Sequence, residues 1–288
     1  MTLTEWHRFI EEALAKAAFE NAGQEAKWLL ESVRNQSIIL NPTVVPSPEE
    51  EVVIEEWLRR RLKGEPLSRL RGIREFWSLP FQLNAHTLDP RPETETIVEG
   101  VLKWVGDQKA KPWRILDLGT GSGCLLISLL HELPQAIGIG VDIQEEAVTM
   151  AQSNALRNGV NTRATFCQGS WGEGVEGPFD IIVSNPPYIP RHEEETLERG
   201  VRLFDPALAL FGGEDGMTCY RELTSPINAL LAPQGCVFLE IGQGQRPDVE
   251  TLFQGAGFKT LTVIQDLAGI ERVLGFGLRI CPNVSSPT

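Results

Sequence analysis

From Trp113 onward, short apolar runs alternate with stretches of helical periodicity, and this alternation limits the possible folds more than any other feature. The runs are RILDLG, AIGIGVDI, RATFCQ, DIIVSN and CVFLEIG. Helical segments begin near Cys124, end near Asn158-Gly159, and recur over about Thr218 to Leu231 and Pro247 to Gln254. Strands that are apolar on both faces need cover on both faces, so the pattern predicts a mostly parallel sheet between helical layers. The last two runs, FKTLTVIQDL and RVLGFGLRI, meet around Ala268-Gly269 with no helix between them. They predict an antiparallel hairpin at the sheet edge.

The first part of the chain reads differently. Trp6, Phe9, Ile10, Ala13, Leu14 and Ala17 recur at helical steps, a second helix is expected over Ala26 to Val33, and a third starts at Pro48 and stops by Gly64. Ser47 stands at its N-cap, with Glu50 in the capping-box place. The segment REFWSLPFQLNAHTLDPRPETE, broken by Pro80, Pro90 and Pro92, predicts a hairpin or extended connector. The expected division is a helical docking domain over residues 1–75, a hairpin or linker over 76–92, the α/β domain over 93–282 and a flexible tail over 283–288.

Composition excludes several classes. A chain of 288 residues with 42% hydrophobic and 23% charged residues is an ordinary globular protein with length for a core and a small second domain. No apolar stretch approaches the ~18 residues of a membrane span, and Glu5, Glu11 and Glu12 at the start do not resemble a secretory leader. The cytoplasm is the expected location. Five scattered cysteines without a Cys-x-x-Cys pair argue for reduced thiols and against a zinc site. A net charge of −13 disfavours a protein that blankets a nucleic-acid backbone.

Ligands of open parallel sheets bind beyond the carboxyl ends of the strands. Three candidate elements fall there. Gly119, Thr120, Gly121, Ser122 and Gly123 follow the first strand and let the backbone come close to a ligand; their spacing departs from the Gly-x-Gly-x-x-Gly dinucleotide pattern, and a structural tight turn alone is the alternative. Asp142 ends the second strand, where a carboxylate suits the hydroxyls of a ribose, of NAD or S-adenosylmethionine alike, or caps the next helix. Asn185, Pro186, Pro187 and Tyr188 end the fourth. An amide oxygen beside a proline carbonyl offers two adjacent acceptors for a planar NH2 group, with the Tyr188 ring as a packing face; the plainer reading is an Asx-turn that stops the strand.

With these residues assembled, the sequence resembles the HemK-like family of release factor glutamine methyltransferases. The resemblance runs over nearly the whole chain, through GEPLSRLRGIREFWSLPF, PRPETE, ILDLGTGSG, SNPPYI, FDPALALFGGEDGM and DLAGIERVL. It implies a Rossmann-like class I methyltransferase domain, a seven-stranded mostly parallel sheet with a terminal hairpin, behind a small helical domain. It implies that Gly119 to Gly123 cradle the methionine part of S-adenosylmethionine, that Asp142 takes its ribose and that Trp171 lies near its adenine. Asn185, Pro186, Pro187 and Tyr188 would hold the glutamine of a Gly-Gly-Gln tripeptide in a peptide-chain release factor, the product being S-adenosylhomocysteine. His86, Thr87 and Asp89 depart from the more apolar connector usual in the family.

A DNA adenine or ribosomal RNA guanine amino-methyltransferase is the alternative, with the same tetrapeptide clamping a flipped base. No His, Cys or Lys adjoins the motif in sequence to invite a general-base role, and His192 reads as the start of a solvated helical turn and not as a metal ligand. No metal is expected. Pro190 to Gly216 is expected to be a substrate-facing loop, and the chain is expected to act as a monomer.

Overall fold

The computed structural model describes residues 1–34 and 42–278; the expected tail and Cys281 lie outside them. The chain divides into two compact units, Met1–Gly72 with Glu198–Phe204, and Ile73–Leu197 with the chain from Asp205.

The first unit is helical: α1 (Leu3–Lys16), α2 (Ala22–Arg34), α3 (Pro48–Arg61) and α4 (Leu67–Arg71). Its core takes Leu3, Trp6, Ile10 and Leu14 from α1, Ala26, Leu29 and Leu30 from α2, and Ile54 and Leu58 from α3. These are steps of three and four, so each helix turns one stripe inward. Phe9 belongs to the periodic set by sequence but is 50% exposed, at the edge of that stripe. The expected capping box of Ser47 and Glu50 is present on α3, and Thr2 and Glu5 form a second one, not anticipated from the sequence, on α1.

The second unit begins with the hairpin β1 (Ile73–Phe76) and β2 (Leu79–Gln82), followed by α5 (Glu95–Val105). Then β3 (Arg114–Leu118), α6 (Cys124–Glu132), β4 (Ile137–Asp142), α7 (Glu145–Arg157), β5 (Ala164–Gln168) and β6 (Phe179–Ser184) alternate. Two short helices follow, α8 (Arg199–Phe204), which groups with the first unit, and α9 (Ala207–Leu210). The chain closes through α10 (Thr218–Leu230), β7 (Leu231–Glu240), α11 (Arg246–Gly255), β8 (Phe258–Gln265) and β9 (Glu271–Leu278). The sheet order is β5-β4-β3-β6-β7-β9-β8, parallel except where β9 runs antiparallel to β7 and β8.

Alternate residues of the central strands feed two cores. Ile115, Ile181 and Val183 face one with α5 and α6, while Leu116, Ile182 and Val237 face the other with α10 and α11. That two-sided burial is why the runs read as nearly continuous apolar sequence. The chain moves outward from β3 through β4 to β5 and then returns to β6 on the other side of β3. A crevice therefore opens at the carboxyl ends of β3, β4 and β6.

Asn154 of α7, fully buried, ties the hairpin to this crevice. Its Oδ1 accepts from Gln82 N at 2.8 Å, and its Nδ2 donates to Gln82 O at 3.0 Å and to Ser122 O at 2.9 Å. Asn154→Ala is expected to destabilise the protein by about 2–4 kcal/mol, because it strands one amide and two carbonyls away from water. Denaturant titration measures this, and a change below about 0.5 kcal/mol would mean that solvent replaces the lost bonds.

Candidate active site

The glycine loop after β3 is held from two sides. Gly119 and Thr120 both donate their backbone N–H to Val141 O at 2.9 Å, and the Thr120 hydroxyl donates to Asp117 Oδ2 at 2.6 Å. Gly119, Gly121 and Gly123 have φ of 75°, 55° and 81°, a region that strains other residues. Gly123 is also the α6 N-cap; a Cβ there would come 2.9 Å from Ile127 Cδ1 and 3.1 Å from the Ala151 Cβ. Apart from its chain neighbours, no atom of the described residues lies within 4 Å of such a Cβ at Gly121, so its surface is open to a ligand.

Asp142 closes β4 and does not cap α7, whose N-cap is Gln144. Its Oδ2 accepts from Gly121 N at 2.9 Å and its Oδ1 from Gln144 N at 3.0 Å, so the carboxylate is fixed against the loop with lone pairs to spare. Burial raises its pKa, and the backbone bonds from Gln144, Gly121 and Ile143 oppose the shift. Beneath the loop, Asp117 is 1% exposed and burial pushes its carboxyl up to about 7, against the hydrogen bond from Thr120. Its Oδ1 has no hydrogen-bond partner among the described residues.

One cavity brings together Gly119 to Ser122, Asp142, Trp171, Asn185 and Pro187. Trp171 stands over the loop, its ring 3.6 Å from where a Gly119 Cβ would sit, and its indole N–H donates to Glu222 Oε2 at 2.8 Å. Three residues of the sequence-based site do not line this cavity. Gly123 lies under the loop as the helix cap, Pro186 is buried, and Tyr188 stands behind the wall. A phenol that leaves water needs a partner, and Tyr188 Oη donates to Glu240 Oε1 at 3.2 Å while its carbonyl accepts from Gln245 Nε2 at 2.9 Å.

The Asn185 amide is oriented. Its Nδ2 donates to Thr94 Oγ1 at 3.0 Å, while Oδ1 and the Pro186 carbonyl have no protein partner among the described residues. Further along the chain, Ile189 O accepts from Gly212 N and Tyr188 O from Gln245 Nε2. Asn185 Oδ1 therefore stands without a partner at the cavity wall, with the Pro186 carbonyl next to it in the chain.

Sequence reasoning missed several cavity residues. His86, Arg91 and Thr94 come from the connector, Cys124 from α6, and Cys219 and Glu222 from α10. His and Cys therefore do reach the cavity, from elements distant in sequence. Burial pushes the Cys124 thiol up to about 12 and the Cys219 thiol up to about 11, so both are neutral at ordinary pH and neither is a thiolate nucleophile. The Pro190 to Gly216 segment is a run of short helical pieces, and Leu208, Ala209 and Phe211 from it line the cavity. Arg91 pairs with the buried Asp205 just ahead of these residues, tying this segment to the connector. His192 is exposed in a 3-10 turn, Arg191–Thr196.

Known proteins resemble this chain over most of its length. A methyltransferase small domain model matches residues 104–212 and a PrmC N-terminal domain model matches residues 5–72. The release factor glutamine methyltransferase of Rhodospirillum rubrum is 45% identical over 267 residues, spanning 91% of this chain and 80% of that one. The enzyme of the same description from Caulobacter vibrioides is 39% identical over 278 residues, 95% and 96% of the two chains. Among solved structures, a methyltransferase from Pyrococcus furiosus superposes with a TM-score of 0.53 at 18% identity, over 76% of this chain and 99% of that one, a likeness of fold.

Proposed function

The chain belongs to the release factor glutamine methyltransferases, and we propose that the cavity at the ends of β3, β4 and β6 is where it methylates the side-chain amide nitrogen (N5) of the glutamine in a release factor's Gly-Gly-Gln tripeptide. S-adenosylmethionine supplies an electrophilic methyl group on a sulfonium and leaves as S-adenosylhomocysteine. The residues present suit that molecule. Asp142 offers a fixed, half-buried carboxylate for a ribose diol, the open Gly121 surface allows close approach, and Trp171 provides a flat apolar wall for adenine. Asp142 and Glu222, the acids of the cavity wall, favour a cationic ligand.

The observation that carries the substrate assignment is the acceptor pair of Asn185 Oδ1 and the Pro186 carbonyl. A carboxamide nitrogen is a poor nucleophile because its lone pair is shared with the carbonyl. Two fixed acceptors bind both its hydrogens, orient the nitrogen and favour the positive charge that grows on it as it attacks. Afterwards the methylated nitrogen is acidic and releases its proton without a dedicated base. The neutral Cys124 and Cys219 fit direct transfer, with no covalent enzyme intermediate. Pro187 lines the wall, and Tyr188, anchored at hydroxyl and carbonyl, fixes the far end of the tetrapeptide.

The helical unit exposes Phe9 and Trp28, which we assign to docking the body of the factor. Among the described residues no helix is long and apolar enough to cross a membrane. We read it as a monomeric, cytoplasmic enzyme that uses no metal, and the net charge of −13 favours a protein over a nucleic acid as its substrate. Labelled S-adenosylmethionine incubated with a release factor, its Gln-substituted form, DNA and RNA tests it. Label is expected only on the intact factor, and Phe9→Ala with Trp28→Ala should raise the KM for the factor about tenfold. Label on nucleic acid with the factor untouched would overturn the assignment.

A further inference from the structure

Asn185 Oδ1 and the Pro186 carbonyl act as a pair only if the backbone from Asn185 to Tyr188 keeps its place. Pro186 and Pro187 have no N–H, so this stretch cannot be pinned through donors of its own. Their rings also fix φ at both residues. A shift at Tyr188 is therefore carried back to the Pro186 carbonyl instead of being absorbed by rotation. Such a stretch has to be held from its ends: Asn185 Nδ2 donates to Thr94 Oγ1, and the Tyr188 carbonyl accepts from Gln245.

Gln245 closes the turn Gly242-Gln243-Gly244-Gln245 after β7 and is the N-cap of α11. Both ends of its amide are committed. Its Oε1 accepts from Gly242 N at 2.9 Å and its Nε2 donates to Tyr188 O at 2.9 Å, while its backbone N–H donates to Gly242 O at 3.1 Å. These partners settle which way the amide points, since a backbone N–H needs its oxygen and a carbonyl needs its NH2. The turn thus grips the side chain at its root and at its oxygen, and the nitrogen grips the tetrapeptide. Tyr220 of α10 backs the same oxygen: its hydroxyl donates to Glu240 O at 2.9 Å and lies 3.5 Å from Gln245 Oε1.

The other side of this bond is closed by backbone. Gly216 passes so near that a Cβ there would land on the Tyr188 carbonyl oxygen and come 2.7 Å from Gln245 Nε2, and its φ of 72° favours glycine. On the next residue, Ile189 N donates to Leu210 O and Ile189 O accepts from Gly212 N, each at 3.0 Å.

We propose that Gln245 is a positioning residue that keeps the Asn185 and Pro186 acceptors in register with the substrate nitrogen by holding the Tyr188 carbonyl. The inference deepens the reading that these acceptors take the glutamine amide, and rests on it. Charge grows on that nitrogen only as it attacks, so displaced acceptors are felt in the chemical step more than in binding. The cofactor loop and Asp142 follow β3 and β4, two and three strands from β7 in the sheet, and are left as they are.

The experiment compares wild type, Gln245→Met, Gln245→Glu and the exposed neighbour Gln243→Ala for kcat and KM on a release factor, with calorimetric cofactor affinity and thermal unfolding. Methionine fills the same space without a hydrogen bond. Glutamate keeps an acceptor for Gly242 N but turns an oxygen with no hydrogen toward the Tyr188 carbonyl. Gln245→Met is expected to lower kcat about 30-fold and Gln245→Glu at least as much, with cofactor Kd and the KM for the factor within about threefold of wild type. Gln243→Ala is expected to stay within about twofold throughout. A role in packing alone would tolerate methionine. Retained kcat in either Gln245 variant, a loss of kcat matched by an equal loss of cofactor affinity, or unfolding of both at the assay temperature would overturn the proposal. An inactive wild type would instead bring down the functional reading beneath it, whereas an active wild type with indifferent variants sinks only the positioning role.

Discussion

Asn185→Ala is expected to lower kcat about 10³-fold while the cofactor Kd changes by less than about threefold. The substitution removes the only side-chain acceptor of the pair at the end of β6 and leaves the Pro186 carbonyl, the glycine loop and Asp142 in place. The loss belongs to the chemical step, since charge grows on the substrate nitrogen only as it attacks and the bond is strongest there. Single-turnover transfer of labelled methyl groups, with calorimetry of the cofactor, separates the two quantities. Asn185→Asp is a sharper control: it keeps an acceptor toward the substrate but cannot donate to Thr94. It should therefore fail almost as badly as alanine. Turnover within tenfold of wild type for the alanine variant would sink the assignment of Asn185.

The second large effect falls on cofactor binding. Asp142→Ala is expected to raise the cofactor Kd about 100-fold, since hydrogen bonds to a charged acceptor contribute about 1.5–3 kcal/mol each. Loss of the carboxylate also frees Gly121 and Gln144, whose N–H groups it holds at 2.9 and 3.0 Å, so the loop surface is less well prepared. At saturating cofactor, kcat should stay within about threefold of wild type, because nothing at the acceptor pair changes. The pH behaviour has a definite sign. Burial places the folded pKa of Asp142 above the ordinary carboxylate value, so affinity is complete above that pKa and is lost as pH falls through it. An unchanged Kd at neutral pH would show that Asp142 only pins the loop.

Much of this was legible in the sequence because it rests on local rules. Two-sided apolar strands implied the covered parallel sheet, Ser47 and Glu50 announced a helix start, and the glycines, Asp142 and Asn185 each fall at a strand end. What escaped depends on long-range contact. Asn185 and Thr94 stand 91 residues apart and Tyr188 and Glu240 stand 52 apart, so no spacing rule links them. Tyr188 read as an open face because the buried carboxylate that draws its hydroxyl inward was not recognised. A signal did exist: Asp117, Asp142 and Glu240 are each an acid at or near the end of an otherwise apolar strand, and only the first two follow or precede glycine-rich sequence that drew notice. The helices within Pro190 to Gly216 are too short for periodicity to show.

The grouping of Glu198–Phe204 with the first unit bears on ancestry. The polypeptide passes between the two units three times, at Gly72, Leu197 and Phe204, where a simple fusion would pass once. A helical unit gained or shed at one end of a methyltransferase gene would leave α8, encoded in the middle of the catalytic part, with nothing to complete. The two units therefore have to be inherited together, and chimeras between distant relatives should exchange the N-terminal segment and the α8 segment as one heritable block.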